Sequence, residues 1–190
     1  MNIKNYAIGT LLCSTVALSA SANCIFPVFE TSLSNAAHAN VARDQAWVEL
    51  SVAPIAVLEL PAAVSRMGIS PTGSLVFRSE DGQISGGVAY ETSESVNVHD
   101  SGAQPASFFS GIFSGKHKEA CLYSEGFRLS EQDYRIHLTL DAGEVFAFGK
   151  GDSHHFFILS RTQSDLVING SMRGIQENLF RSFLSKIKIK

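Results

Sequence analysis

The chain has 190 residues, with 15 lysines and arginines against 18 aspartates and glutamates, for a formal net charge of −3. Its length is typical of one domain and allows a sizeable core. The net negative charge, without basic residues interleaved with aromatic ones, argues against nucleic acid as a partner.

The first 22 residues predict a secretory signal peptide. A charged, polar start is followed by an apolar stretch from Ala7 to Leu18, and the Ala-Ser-Ala run at residues 20–22 matches the A-x-A cleavage pattern. At about twelve residues, that stretch is shorter than the roughly 20 that a membrane-spanning helix needs. We therefore expect a periplasmic or secreted protein, without stable membrane insertion after cleavage, and one globular α+β domain over residues 23–190.

Cleavage would leave two cysteines, Cys24 and Cys121. An even cysteine count in an exported chain predicts a disulfide between them. The bond would close a loop of about 100 residues, which a chain-entropy estimate values at roughly 4 to 5 kcal/mol of stabilisation. Two unpaired, buried thiols are the alternative.

The segments before residue 70 predict short elements. Residues 33–44 are alanine-rich and predict a weak helix. The alternation in "WVELSV" predicts a strand that Pro54 breaks, and "IAVLEL" resumes it. Pro61 is then expected to open a short helical turn that continues through Met67.

A hairpin is expected between residues 74 and 92. Two β-rich runs flank Asp81-Gly82, a dipeptide whose glycine accepts the positive φ of a tight turn. Residues 94–105 follow as a polar loop. The next segment, "ASFFSGIFSGKHKEACLY" from Ala106, predicts a helix, because its phenylalanines fall at helical spacing on one face. That aromatic stripe is either core or an exposed docking patch.

The last third predicts an antiparallel meander of four β-rich segments joined by three short connections. An amphipathic helix is expected after it, with Ser171 as a possible cap. Its apolar side would consist of Ile175, Leu179, Phe183, Leu184 and Ile187. The expected fold class is α+β: a twisted antiparallel sheet of about five to seven strands, with a C-terminal amphipathic helix and one or two further helices packed on it.

The run "GKGDSHHFF" at residues 149–157 has the residue types of a chemical site. Successive strand side chains point to opposite faces, so His154 and His155 are not expected to bind one metal ion together. HxH and HExxH patterns are absent. The main prediction is therefore a turn that leads into a central strand, with no metal and no cofactor. A site that combines these histidines with Asp152 and His137 is the alternative.

Recognised catalytic motifs are also missing. The G-x-S-x-G, Walker and dinucleotide glycine patterns do not occur, and His99, Asp100 and Ser101 are consecutive loop residues that rarely converge into a triad. We therefore expect an exported, non-enzymatic binding module for a partner protein or small ligand in the envelope. An inhibitor or immunity-type protein that neutralises a toxin or hydrolase fits this class. The alternative is a small periplasmic hydrolase or metal-dependent enzyme that uses the His154, His155 and Asp152 region.

Contact with the partner is expected from the hairpin turn, the polar loop and the aromatic stripe, since acidic residues could meet a basic partner and aromatic residues could provide anchors. The residues in question are Asp81, Gly82, Glu94, His99, Asp100, Phe108, Phe109 and Phe113.

Overall fold

The computed structural model of the protein describes residues 25–33, 46–97, 99 and 102–190. The predicted signal peptide, Cys24, Asp100 and nearly all of the expected helix at 33–44 lie outside these residues. Those predictions, including the Cys24–Cys121 disulfide, stay predictions.

The described residues form a mainly β structure. The strands are β1 (Trp47–Val52), β2 (Ala56–Pro61), β3 (Val64–Ile69), β4 (Leu75–Ser79), β5 (Ser85–Thr92), β6 (Tyr134–Leu140), β7 (Gly143–Lys150), β8 (Ser153–Ser160), β9 (Leu166–Arg173) and β10 (Lys188–Ile189). Seven of them form one sheet in the order β3-β4-β5-β9-β8-β7-β6, and a smaller sheet has the order β1-β2-β10. Every strand pair in both sheets is antiparallel.

Four α-helices accompany the strands in the described part of the chain. They are α1 (Ser93–Asn97), α2 (Pro105–Phe113), α3 (Ala120–Gly126) and α4 (Glu177–Leu184), and a 3₁₀ turn spans Leu129–Glu131. Within the described ranges, every helix is too short or too polar to serve as a transmembrane segment. The combination of antiparallel sheets and helices confirms the broad α+β class, with a larger share of strand than expected.

Both faces of the seven-stranded sheet carry core residues. One face, here called the inner face, packs its Phe156 and Ile158 with residues of the small sheet and with Phe180 of α4. The opposite face, here called the helix face, packs Phe146 and Phe157 against α2. Because strand side chains alternate, β7, β8 and β9 contribute to both clusters, which explains the nearly continuous apolar runs in these strands.

Two predicted β units are confirmed. β4 and β5 form the hairpin around Asp81-Gly82, and Gly82 has a φ of 74° in the turn. The predicted meander is β6 to β9, in which each strand pairs with the next. In both units a short glycine-containing or polar turn joins consecutive strands, so the local signal and the tertiary pairing agree.

The helical turn expected from Pro61 to Met67 is wrong. Pro61 ends β2, and the chain turns directly into β3, which pairs with β4 from Val64 to Ile69. Val64 is 4% exposed and joins the inner-face core. Pairing with β4 and burial of this residue outweigh the helix-start signal of the proline.

The helical predictions in the middle of the chain need two corrections. The expected loop at 94–105 contains most of α1, whose Val96 is 1% exposed. The expected single helix from Ala106 is divided into α2 and α3, since Gly115 adopts a φ of 73° just after α2 ends. A left-handed residue cannot continue a right-handed helix, so the chain changes direction there.

The predicted C-terminal amphipathic helix is not found in the form expected. A helix occupies only Glu177–Leu184, and the chain then enters β10, where Lys188 pairs with Val57. Ser171 lies within β9 rather than at a helix cap. Ile187 is only 6% exposed, but it lies after the end of the helix. The pairing of β10 with β2 completes a second sheet that was not expected.

Candidate functional site

His154 lies on the inner face with no exposed surface. Its Nδ1 is 2.7 Å from the Tyr134 hydroxyl and its Nε2 is 2.9 Å from the carbonyl oxygen of Ile175. A neutral ring that donates from Nε2 and accepts at Nδ1 satisfies both contacts. Its ring stacks on Phe180 with centroids 4.5 Å apart. Burial lowers the pKa of His154, so this histidine is a neutral core residue with both ring nitrogens occupied.

The other members of the proposed metal alternative lie elsewhere. His155 projects onto the helix face, where its ring stacks on Phe148 at 5.5 Å, and His137 stacks on Phe146 at 4.1 Å. Asp152 is exposed in the turn between β7 and β8. Because His154 and His155 occupy opposite faces of one sheet, they do not share a site. Across the described ranges, no group of three or more potential metal ligands converges.

Acid is expected to destabilise the fold through His154. In the folded state its pKa is below the ordinary value of 6.5, so the unfolded chain binds the proton first. The stability that comes from keeping His154 neutral is therefore present above about pH 6.5, and it is lost as the pH drops below that value. Urea unfolding at about pH 7.5 and about pH 5.5 should show a smaller loss for His154→Gln than for the wild type. An equal loss in both proteins would contradict this assignment.

A cleft of about 450 Å³ lies between α2 and the ends of β7 and β8, with Ser110 and Glu144 in its wall. Ser110 donates a hydrogen bond to Glu144 at 3.1 Å, and His137 Nε2 is 3.8 Å from the same carboxylate oxygen. In a serine–histidine–carboxylate triad the imidazole lies between the hydroxyl and the carboxylate, whereas here the carboxylate of Glu144 is in the middle. The arrangement does not activate Ser110 as a nucleophile.

The structure corrects the place of the aromatic stripe. Phe108, Phe109 and Phe113 are 2%, 5% and 2% exposed and belong to the helix-face core. They cannot act as exposed anchors for a partner. Of the two roles considered for the stripe, core packing is the one that these residues have. The cluster includes rings from the sheet itself, such as Phe157 at 4.8 Å from Phe113.

The remaining predicted binding residues are split between two places. Asp81 and Gly82 are exposed at the tip of the β4–β5 turn, where Asp81 accepts hydrogen bonds from Ser79 and from the Gln83 amide. Glu94 is exposed on α1. His99, just after that helix, has its Nδ1 3.1 Å from a carboxylate oxygen of Glu119. The contacts of Asp81 and His99 stabilise local structure. They explain these two polar residues without any partner protein.

Part of the helix face has no helix over it. α1, α2 and α3 cover the region of Phe146 and Phe157, whereas the side chains of β3 and β4 on this face are exposed. Val76 of β4, for example, is 41% exposed. We call this uncovered region of β3, β4, β5 and the adjoining ends of β7, β8 and β9 the open face.

Four cations lie in one line across the open face. Residues directly opposite in an antiparallel sheet project to the same side, so the strand register places side chains in rows. One such row runs through Arg66 of β3, Arg78 of β4, Ser85 of β5, Arg173 of β9, Ser153 of β8 and Lys150 of β7. We call Arg66, Arg78, Arg173 and Lys150 the cationic row. At about 4.8 Å between strands, it extends for about 24 Å along the twisted sheet.

The cationic row is hardly neutralised. Among the described residues, Arg78, Arg173 and Lys150 form no ion pair, and Arg66 has only a long contact of 3.9 Å to Glu80, with both side chains more than half exposed. An exposed pair of that kind contributes at most about 1 kcal/mol. Like charges placed directly opposite, as in the Arg66–Arg78 pair, destabilise a sheet. The row therefore costs stability unless a bound anion offsets it.

Small side chains border the cationic row. The neighbouring row on the same face contains Gly68, Val76, Gly87, Ser171 and His155. A hollow of about 330 Å³ opens there, lined partly by Ser171 and the ring of Phe127. Burial, followed by the charge of Arg173, lowers the pKa of His155, so its ring is neutral at neutral pH. The open face thus combines a line of positive charge with a shallow, uncharged groove.

Sequence reasoning missed the cationic row because its members lie on four strands, and Arg66 and Arg78 on β3 and β4 are far along the chain from Lys150 and Arg173 on β7 and β9. Each of them is an ordinary exposed position in an alternating strand, and only the register brings them into line. Arg66 was further hidden by the helical turn expected at that place. No family model, curated protein or solved structure matches this chain.

Proposed function

We propose that this chain is an exported, non-enzymatic binding module whose partner is a protein with an acidic surface. Export is supported by the signal-peptide pattern at residues 1–22. Within this class, an inhibitor or immunity-type protein that occupies a toxin or hydrolase of the same compartment fits the size of the chain. From the sequence, acidic residues of this chain were expected to meet a basic partner. This proposal reverses the two charges, because the exposed line of charge on this chain is positive.

The observation that carries the proposal is the unneutralised cationic row. The whole chain has a net charge of −3, so four cations aligned on one face are a local reversal of its charge. Complementary potentials speed the encounter of two proteins and fix their register. The planar guanidinium groups of Arg78 and Arg173 are suited to bind carboxylates through two parallel hydrogen bonds.

The shape of the open face favours a protein over a small ligand. Small-molecule sites are concave and enclose most of their ligand. Here a hollow of about 450 Å³ near Arg66, Val76 and Arg78 and the hollow beside His155 are both shallow depressions in a sheet surface. A surface of this kind suits contact with a broad partner, whose side chains fill the hollows while its acidic residues meet the cationic row.

Reversing two charges of the cationic row is expected to weaken binding of a fluorescein-labelled oligoglutamate peptide by about 100-fold. In Arg78→Glu/Arg173→Glu, each exposed attraction of up to about 1 kcal/mol becomes a repulsion of similar size. The matched control is Lys116→Glu/Lys118→Glu, which makes the same change in net charge at exposed positions between α2 and α3. Fluorescence anisotropy measures both affinities.

The control variant should stay within about threefold of the wild type, since its charges lie away from the open face. Equal weakening in the two variants would mean that net charge alone drives binding, and the proposal would be lost. A labelled oligogalacturonate serves as the competing polyanion. If it binds more tightly than the peptide and depends on Arg78 and Arg173, the partner is an acidic polysaccharide and the protein partner is ruled out.

A further inference from the structure

The two end strands of the seven-stranded sheet are treated differently. At the β6 end, Glu30 forms a bridge with Ile136: its amide donates to the carbonyl of Arg135 at 2.8 Å, and its carbonyl accepts from the amide of His137 at 2.8 Å. Among the described residues, β3 at the other end pairs only with β4. An uncovered end strand is a template for the addition of another strand.

β3 exposes apolar as well as charged side chains. Residues 65 to 69 are all exposed, and Met67 and Ile69 are 46% and 69% exposed. The register places Met67 opposite Phe77, so these apolar side chains lie on the inner side of the strand. Arg66 projects to the other side, into the cationic row. The strand thus presents an apolar side and a positive side along one free edge.

The hydrogen-bond pattern shows which backbone groups of β3 are free. The hairpin to β4 closes with the Ser70 amide donating to the Ser74 carbonyl at 2.8 Å. Hydrogen-bonded and non-hydrogen-bonded pairs alternate in an antiparallel ladder, so Gly68 and Arg66 direct their amides toward β4. Met67 and Ile69 therefore direct their amides and carbonyls away from β4, toward the free edge.

We propose that an extended segment of the partner protein adds to the edge of β3 as an eighth strand, with acidic residues alternating with apolar ones. The acidic residues would face Arg66 and Arg78, and the apolar residues would face Met67 and Ile69. Main-chain hydrogen bonds to an edge supply affinity in such complexes, and alternate side chains supply specificity. This inference rests on the proposed function and names the part of the partner that engages the open face.

A second copy of the chain is a poorer occupant of the same edge. Two β3 strands related by a two-fold axis perpendicular to the sheet would continue one sheet and share its faces. The arginines of both copies would then lie near each other on the same face, and like charges in neighbouring strands are destabilising. Charge complementarity therefore favours an acidic segment over self-association.

The experiment compares two substitutions of one residue, Met67→Pro and Met67→Ala. Proline removes the outward amide and leaves the bonds to β4 intact, as is tolerated in edge strands. The probe is a labelled seven-residue peptide of alternating glutamate and valine, with the same composition in block order as the peptide control. Met67→Pro should weaken binding of the alternating peptide about 10-fold relative to Met67→Ala, which keeps the amide.

Two further readouts keep the test decisive. If urea unfolding shows that Met67→Pro is poorly folded, the pair Ile69→Pro and Ile69→Ala repeats the comparison at the next outward amide. In the wild type, exchange of the Met67 and Ile69 amides with solvent should slow when the peptide binds. Equal affinity of the proline and alanine variants, with unchanged exchange, overturns strand addition. If Arg78→Glu/Arg173→Glu still abolishes binding in that case, the open face as a docking surface stands.

Discussion

Replacing Phe113 by alanine is expected to lower the free energy of unfolding by about 3 to 5 kcal/mol, the usual cost of removing a buried phenylalanine ring. Phe113 is 2% exposed at the end of α2, and its ring is 5.1 Å from Phe146 and 4.8 Å from Phe157 in the sheet. The substitution removes ring contacts between α2 and the helix face and leaves a cavity between them. Urea unfolding followed by circular dichroism measures the loss.

The control for Phe113→Ala is Leu122→Ala in α3, because Leu122 is 61% exposed. Truncation of an exposed apolar side chain should change stability by less than about 0.5 kcal/mol. A loss of similar size in the two variants would show that α2 is not packed as described.

Gly170→Ala is expected to destabilise the protein by about 3 kcal/mol, at the upper end of the usual cost of overpacking a core. Gly170 lies in β9 directly opposite Phe156 of β8, and an added Cβ would stand 2.1 Å from the tip of that ring. Phe156 has no exposed surface, so its ring cannot move aside into solvent. Thermal and urea unfolding measure the effect.

Two comparisons test the stated cause of that loss. Gly68→Ala in β3 adds the same methyl group where nothing lies within 4 Å, and it should leave stability nearly unchanged. In a Phe156→Leu background the shorter side chain leaves room, so Gly170→Ala should cost less there, and a double-mutant cycle reports the coupling. Additive effects would mean that contact with Phe156 is not the reason for the loss.

The meander could be predicted because each of its strands is joined to the next by a short turn. The turn that contains Gly151, with a φ of 60°, is an example, since it follows β7 directly and leads into β8. Local signals are sufficient where partners are neighbours in the chain. The opposite faces of His154 and His155 followed from the same strand periodicity.

The second sheet could not be predicted, because β10 pairs with β2 across more than half of the chain. The alternation in "IKIK" is compatible with a strand, but Ile187 also continued the spacing of the preceding helix. Only burial of Ile187 and the pairing of Lys188 with Val57 decide between the two. Long-range pairing overrides local periodicity in such short segments.

The cationic row was beyond sequence reasoning for a related reason. Arg78 and Arg173 are separated by many residues, and both flank β5 through Ser85. Without the order β4-β5-β9, nothing places them on one face. The acidic residues that were predicted to bind a partner, by contrast, were visible in the sequence, because Asp81 stands in a recognisable turn and Glu94 in a polar segment that the sequence predicts as a loop.

The central claim is that the open face binds an acidic protein segment, and mapping of the bound peptide on the isotope-labelled protein tests it most directly. Titration with the alternating glutamate–valine peptide should shift backbone amide resonances in β3 and β4, next to the proposed eighth strand. The lysines at Lys186 and Lys188, which share the carboxylate of Glu59, should stay unaffected. Shifts concentrated at those lysines or between α2 and α3, with none in β3 and β4, would contradict the account.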